Sequence, residues 1–193
     1  MRPPGELRTA AQVLVDQLMI NGVRHVFCVP GESYLAVLDA FHDRDIAVTV
    51  CRQEGGAAMM AEAAGKATGA PGICFVTRGP GATNASCGIH IAQQDSTPLI
   101  MFAGGVTRDI KDREALQELD VRAAFGSMTK WAAEIDDPAR VPEFVSRAFY
   151  TATSGRPGPV VIGLPEDMLA ERTAAPNAPA FEPVETSPVK RSR

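Results

Sequence analysis

Short, unbroken apolar runs alternate along this chain with longer stretches of helical spacing, and Gly or Pro stands at most of the junctions. The runs are His25 to Val29 (HVFCV), Ile46 to Val50 (IAVTV), Gly72 to Thr77 (GICFVT), Pro98 to Ala103 (PLIMFA), Lys130 to Ile135 and Pro159 to Gly163. They are rich in Val, Ile and Phe rather than alternating apolar with polar residues, which is the mark of strands covered on both faces. Between them, Thr9 is placed to cap a helix through about Asn21, with Ala10, Val13, Leu14, Gln17 and Leu18 on one face. Ser33 is placed to cap a helix over Tyr34 to His42, and further helices are expected over Glu54 to Thr68, Ala82 to Gln93 and Pro138 to Thr153. Strand and helix in turn predict an α/β fold: a doubly wound parallel sheet of about six strands with helices on both faces.

The chain's 193 residues fit one domain and a tail. The domain is expected over residues 1–170, since all 17 glycines fall at or before Gly163. Residues 171–193 carry Pro176, Pro179, Pro183 and Pro188 and no Gly, and read as an extended linker or tail, its Lys190, Arg191 and Arg193 being a solvated end.

Composition removes several functions. Nineteen Lys and Arg against 23 Asp and Glu leave a net charge of −4 with no basic cluster in the body, so neither nucleic acid nor an anionic membrane has electrostatic support as a partner. Aromatics at 6% offer no stacking platform for single strands. No apolar run approaches the length of a membrane span, and the start MRPPGELR lacks the apolar core of a signal peptide, so a cytoplasmic protein is expected. Cys28, Cys51, Cys74 and Cys87 are widely spaced, without a CxxC or a nearby His at ligand spacing; they read as buried small hydrophobes, and no metal site is expected. A small-molecule ligand is the expectation that remains.

In open parallel sheets ligands bind beyond the carboxyl ends of the strands. There stand Pro30-Gly31-Glu32, then Arg52-Gln53-Glu54-Gly55-Gly56, then Thr77-Arg78-Gly79-Pro80-Gly81-Ala82-Thr83-Asn84, then Gly104-Gly105. The third loop begins like a dinucleotide GxGxxG, but Asn84 replaces the last Gly and the loop follows the third strand, which weakens a nicotinamide-cofactor oxidoreductase; no GxxxxGK[ST] is present. Its glycines permit close approach, Pro80 is rigid, and Thr77 and Asn84 offer polar side chains to an aromatic heterocycle. Glu54 reads either as a first-turn carboxylate favoured by the helix dipole or as an acid–base group exchanging a proton with such a heterocycle. Arg78 reads as a surface residue or as a partner for a substrate carboxylate. The Gly/Ala-rich segments Glu54 to Thr68 and Ala82 to Gln93 suit close packing, within the domain or between subunits.

The segments HVFCVPGES, RQEGGAAMMAEAAGKATG, GICFVTRGPGATNASCGIHIAQQDSTPLI, LQELD and SGRPGPVVIGLPEDM, in that order from Thr9 to Leu169, resemble the N-terminal pyrimidine-binding domain of thiamine-diphosphate enzymes, most closely the acetolactate synthase group. The resemblance implies that Glu54 hydrogen-bonds the cofactor's aminopyrimidine at N1′ and shuttles its proton, and that Val29, Pro30, Thr77, Pro80 and Asn84 complete the cofactor pocket. It implies that Gln117 reaches toward a reaction centre at which a 2-oxo acid is decarboxylated and its carbanion transferred. Gln53, Gly105 and Leu116 depart from the group's usual His, Gln and aromatic residues and leave the substrate open.

In that family the diphosphate and Mg²⁺ are held by a separate domain bearing a GDG motif, and no Gly-Asp pair occurs in this chain. The middle domain, which binds FAD in some members, has no counterpart either. The resemblance therefore implies half of an active site, completed by a diphosphate-binding domain or subunit, with the pyrimidine domains pairing as a homodimer. The rival is a non-catalytic interaction or regulatory module that keeps the fold.

Overall fold

The computed structural model describes residues 6–42 and 44–182, so the basic end at Lys190, Arg191 and Arg193 lies outside the described residues. In chain order the elements are β1 (Arg8–Thr9), α1 (Ala10–Ile20), β2 (His25–Cys28), α2 (Leu35–Phe41), β3 (Ala47–Val50), α3 (Glu54–Thr68), β4 (Gly72–Thr77), α4 (Arg78–Asp95) and β5 (Leu99–Gly105). They continue with α5 (Val121–Phe125), β6 (Trp131–Glu134), α6 (Val141–Thr153), β7 (Pro159–Pro165), α7 (Glu166–Ala170) and β8 (Arg172–Thr173).

All six expected strands form, and they make one six-stranded parallel sheet in the order β3-β2-β4-β5-β7-β6. From β2 the chain steps outward to β3 and then returns past β2 to β4, so the direction of winding reverses between β2 and β4. At such a reversal the loops leaving neighbouring strands part to opposite faces and open a crevice at the carboxyl ends. The sheet is covered on both sides, as the unbroken apolar runs require. Val26, Cys28, Ile73, Phe75, Ile100, Phe102, Val160 and Ile162 face a core shared with α1, α2, α6 and α7. Their neighbours Phe27, Cys74, Val76, Leu99, Met101 and Val161 face a second core shared with α3, α4 and α5.

Local signals explain most of the boundaries. Thr9 closes a capping box with Gln12 at the start of α1, and Ala10, Val13, Leu14, Gln17 and Leu18 are all buried. Two expectations are corrected. Helix α4 begins at Arg78 rather than Ala82: Pro80 falls in the first turn, where its missing N–H costs nothing, so Gly-Pro-Gly is helix and not loop. Ser33 caps no helix; it lies inside a 3-10 turn, Glu32–Tyr34, and its hydroxyl is bonded to that of Thr77. The helices α5 and α7, five residues each, are too short to show a period in sequence.

Among the cysteines, Cys28 and Cys74 are buried and burial pushes both thiols up, whereas Cys51 is half-buried and Cys87 exposed, so the reading of all four as core residues fails at Cys87. Beyond α7, β8 pairs antiparallel with β1. Gln17, fully buried on α1, is satisfied by the segment that follows: its Oε1 accepts from Ala178 N (2.9 Å) and Asn177 Nδ2 (3.1 Å), and its Nε2 donates to Ala178 O (3.2 Å). Among the described residues no helix is long and apolar enough to cross a membrane.

Candidate functional site

The crevice between the carboxyl ends of β2 and β4 is held by hydroxyl groups. Tyr34 donates its phenolic proton to the Val29 carbonyl; burial first, then the neighbouring Cys28 and Cys74, push its pKa up, so the ring stays a neutral donor. Ser33 and Thr77 share a hydroxyl–hydroxyl bond across the two strands, and Val29 N donates to Phe75 O (3.3 Å). Val29 and Pro30 thus stand beside Thr77, with Val29 half-buried and Pro30 exposed on the rim.

Glu54 opens α3 at the same rim. Its cap is Gln53, whose side-chain oxygen accepts from Gly56 N (2.9 Å), so this residue is spent on the helix start. The carboxylate is half-buried, and Asn84 Nδ2, one and a half turns into α4, donates to its Oε2 (3.0 Å). Among the described residues Oε1 has no hydrogen-bond donor. It faces Gly81, where a Cβ would lie 3.5 Å away; with hydrogen alone at that position the oxygen keeps clearance on its helix side. A carboxylate with one oxygen anchored and the other free fits a heterocyclic N–H or a ring nitrogen that shares a proton.

The two helices come close enough for the Asn84–Glu54 bond because their contact is made of small residues. Ala57, Ala58 and Ala61 of α3 meet Ala82, Ala85 and Ala92 of α4 in the second core, and a Cβ at Gly88 would sit 2.6 Å from that of Ala58. The Gly/Ala segments therefore pack within the domain. On the outer side of α3, Met59 and Met60 are exposed.

Gln117 joins the rim through its backbone: its carbonyl accepts the Gly79 N–H (2.8 Å) at the first turn of α4, and its side chain is exposed. Pro80 is exposed on that same turn, and its carbonyl accepts from Thr83 Oγ1 (3.1 Å). Thus Glu54 and Asn84 are in direct contact, Val29, Pro30 and Thr77 form a neighbouring group, and Gln117 lies beyond Gly79. Leu116 is 74% exposed, and Gly105 is half-buried beside Leu164 and Pro165. Arg78 is not a surface residue: its side chain is 13% exposed and pairs with Glu32 (3.2 Å) and Glu166 (3.1 Å), tying the loops after β2, β4 and β7, while its Nε is buried without a hydrogen-bond partner among the described residues. Ser33 and Tyr34 are site residues that sequence reasoning missed; a hydroxyl pair directly after Pro-Gly-Glu at a strand end was the available signal. Among the described residues no group of His, Cys, Asp and Glu is arranged to hold a metal ion.

Comparison with known proteins gives this geometry a family context. Residues 8–124 match the family model for the thiamine pyrophosphate enzyme, N-terminal TPP binding domain. The chain is 39% identical over 170 residues to an acetolactate synthase of Bacillus subtilis, covering 88% of this chain and 30% of that protein. It is 38% identical over 165 residues to the acetolactate synthase isozyme 3 large subunit of Escherichia coli, covering 85% and 29%. Against the probable acetolactate synthase large subunit of Methanocaldococcus jannaschii it is 39% identical over 158 residues, covering 82% and 27%. The chain thus spans less than a third of the length of these relatives.

Proposed function

Since the chain belongs to the thiamine pyrophosphate enzyme family, as its N-terminal TPP-binding domain, we propose that it supplies the pyrimidine-binding half of a thiamine-diphosphate site in a 2-oxo acid decarboxylase or carboligase resembling acetolactate synthase. The observation that carries this reading is the Glu54 carboxylate at the winding reversal, with Oε2 held by Asn84 and Oε1 clear over Gly81. Thiamine diphosphate, when bound, supplies the electron sink that stabilises a carbanion after loss of carbon dioxide.

The chain's own residues then have distinct tasks. Glu54 holds and moves a proton at N1′ of the aminopyrimidine through Oε1, while Asn84 fixes the rotamer that presents it. Val29 and Pro30, set by the Tyr34 bond, border the ring from the end of β2. Thr77 and Pro80 border it from the end of β4. Gln117 faces the reacting centre. The diphosphate and Mg²⁺ are assigned to another segment or another chain, and the pyrimidine domains pair as a homodimer.

The test is 2-oxo acid turnover by the assembled enzyme, meaning this chain together with the segment or subunit that holds the diphosphate. Carbon dioxide release from pyruvate that requires added thiamine diphosphate supports the reading. A stable assembly that binds thiamine diphosphate but turns over no 2-oxo acid, or one that binds NAD instead, overturns it.

A further inference from the structure

The segment between β5 and α5 carries three residues in the left-handed region, Asp112 (φ 62°), Glu114 (φ 54°) and Gln117 (φ 63°), none of them glycine. Such a backbone persists only where its surroundings over-determine it. One side chain gathers much of it. Glu118 Oε1 accepts from Asp112 N (2.6 Å) and its Oε2 from Ala115 N (2.9 Å), while its own N–H donates to Ala115 O (3.0 Å). Those two backbone donors hold the carboxyl below the usual range, more than offsetting its desolvation. Just after it, the half-buried Leu119 and the buried Val121 anchor the chain in the second core. The loop is therefore a ring closed by Glu118, and Gln117 is the residue that the ring carries to Gly79.

We propose that Glu118 is the positioning residue of Gln117: by gathering the Asp112 and Ala115 amides it fixes the backbone path that seats the Gln117 carbonyl on the Gly79 N–H and presents the Gln117 side chain at the rim. This rests on the reading of Gln117 as facing the reacting centre. A side chain carried on a loop meets the reacting atoms only as accurately as its backbone is held. Glu118 itself touches no substrate in this account, and its effect on turnover passes wholly through Gln117.

The experiment is a double-mutant cycle in the assembled enzyme, with Gln117→Ala, Glu118→Ala and the double variant, and with Glu54→Gln and Glu118→Gln alongside. Glu118→Ala is expected to lower kcat by about 100-fold with thiamine-diphosphate affinity held within about twofold, and to speed hydrogen exchange at the Asp112 and Ala115 amides. The double variant is expected to be no slower than Gln117→Ala, since both remove the same contribution. Glu118→Gln, which keeps one acceptor oxygen, is expected to recover part of the loss. Losses that multiply in the double variant, or a Glu118→Ala enzyme at wild-type kcat, overturn the proposal. If Gln117→Ala turns over normally while Glu54→Gln does not, the roles of Gln117 and Glu118 both fall and the thiamine-diphosphate reading stands; if Glu54→Gln turns over normally, the proton-transfer role of Glu54 falls, and if turnover does not require thiamine diphosphate, that reading falls as well.

Discussion

The two faces of the sheet are built from different materials. One is packed with large side chains, among them Leu14 and Leu18 from α1, Phe144 and Phe149 from α6, and the stacked rings of Phe75 and Phe102. The other is packed where α3 crosses α4 almost wholly with alanine and glycine. Large buried side chains bring more transfer free energy per residue, so the first face carries the greater share of stability. Small ones bring less but let backbones approach, and on the second face that approach places Asn84 within hydrogen-bond distance of Glu54. The Glu54–Asn84 contact is thus separable from the main store of stability, whereas the Val29 and Pro30 border is tied to it through Tyr34, and substitutions at Leu14 and at the α3–α4 contact should fail in different ways.

The largest effect is expected on the large-residue face. Leu14→Ala removes a fully buried side chain from α1 and should cost about 2–5 kcal/mol in urea unfolding. Thiamine-diphosphate affinity of the assembled enzyme should stay within about twofold under conditions where the variant is folded. Gly88→Val should cost about 1–3 kcal/mol of overpacking, because a Cβ there would meet the Ala58 Cβ (2.6 Å) and backbone (2.7 Å) and force α4 away from α3. That shift breaks the Asn84–Glu54 bond, so turnover should fall far more than stability does. Should Leu14→Ala disturb turnover as strongly as Gly88→Val, the separation of the faces is wrong.

Two smaller effects sharpen the picture of the first face. Thr9→Ala removes the side-chain half of the capping box on α1 and should lower stability by about 1 kcal/mol with no change in turnover. The smallest effect concerns pH. Burial pushes the Asp167 carboxyl up, but hydrogen bonds from the Arg108 guanidinium and backbone N–H outweigh it, and the folded pKa lies below the ordinary aspartate range. A depressed carboxylate stabilises the fold above its unfolded pKa, about 3.9, and that contribution is lost as pH falls through the lower folded value. Arg108→Ala should flatten the acid side of the stability profile below about pH 4, by under about 1 kcal/mol for a pair so close to solvent.

What the sequence made legible follows the range of the forces involved. Period and capping are local, so the six strands, the Thr9 cap and the buried face of α1 could be read from neighbouring residues. Glu54 and Asn84 read as rim residues because each follows a strand, but their bond depends on how closely α3 and α4 pack, which no local pattern carries. The start of α4 is not legible because Gly-Pro-Gly reads as a loop by propensity, whereas here Arg78 turns the chain in the left-handed region (φ 48°) and the Gly79 N–H is bonded to the Gln117 carbonyl. Ser33 reads as a cap because nothing near it in the chain announces Thr77, which lies two strands along the sequence and next door in the sheet. The role of Glu118 needed three left-handed residues, and side-chain identity alone does not announce those outside glycine.

The central claim is that the small-residue face holds the Glu54 carboxylate with one oxygen anchored and one free to exchange a proton. Its most direct test is kcat for 2-oxo acid decarboxylation by the assembled enzyme carrying Glu54→Gln, which keeps the shape and an acceptor for Asn84 but cannot exchange a proton. A fall of about 10²–10⁴-fold, with the fold and the assembly intact by circular dichroism and light scattering, is the predicted result. A kcat within twofold of wild type would contradict the account.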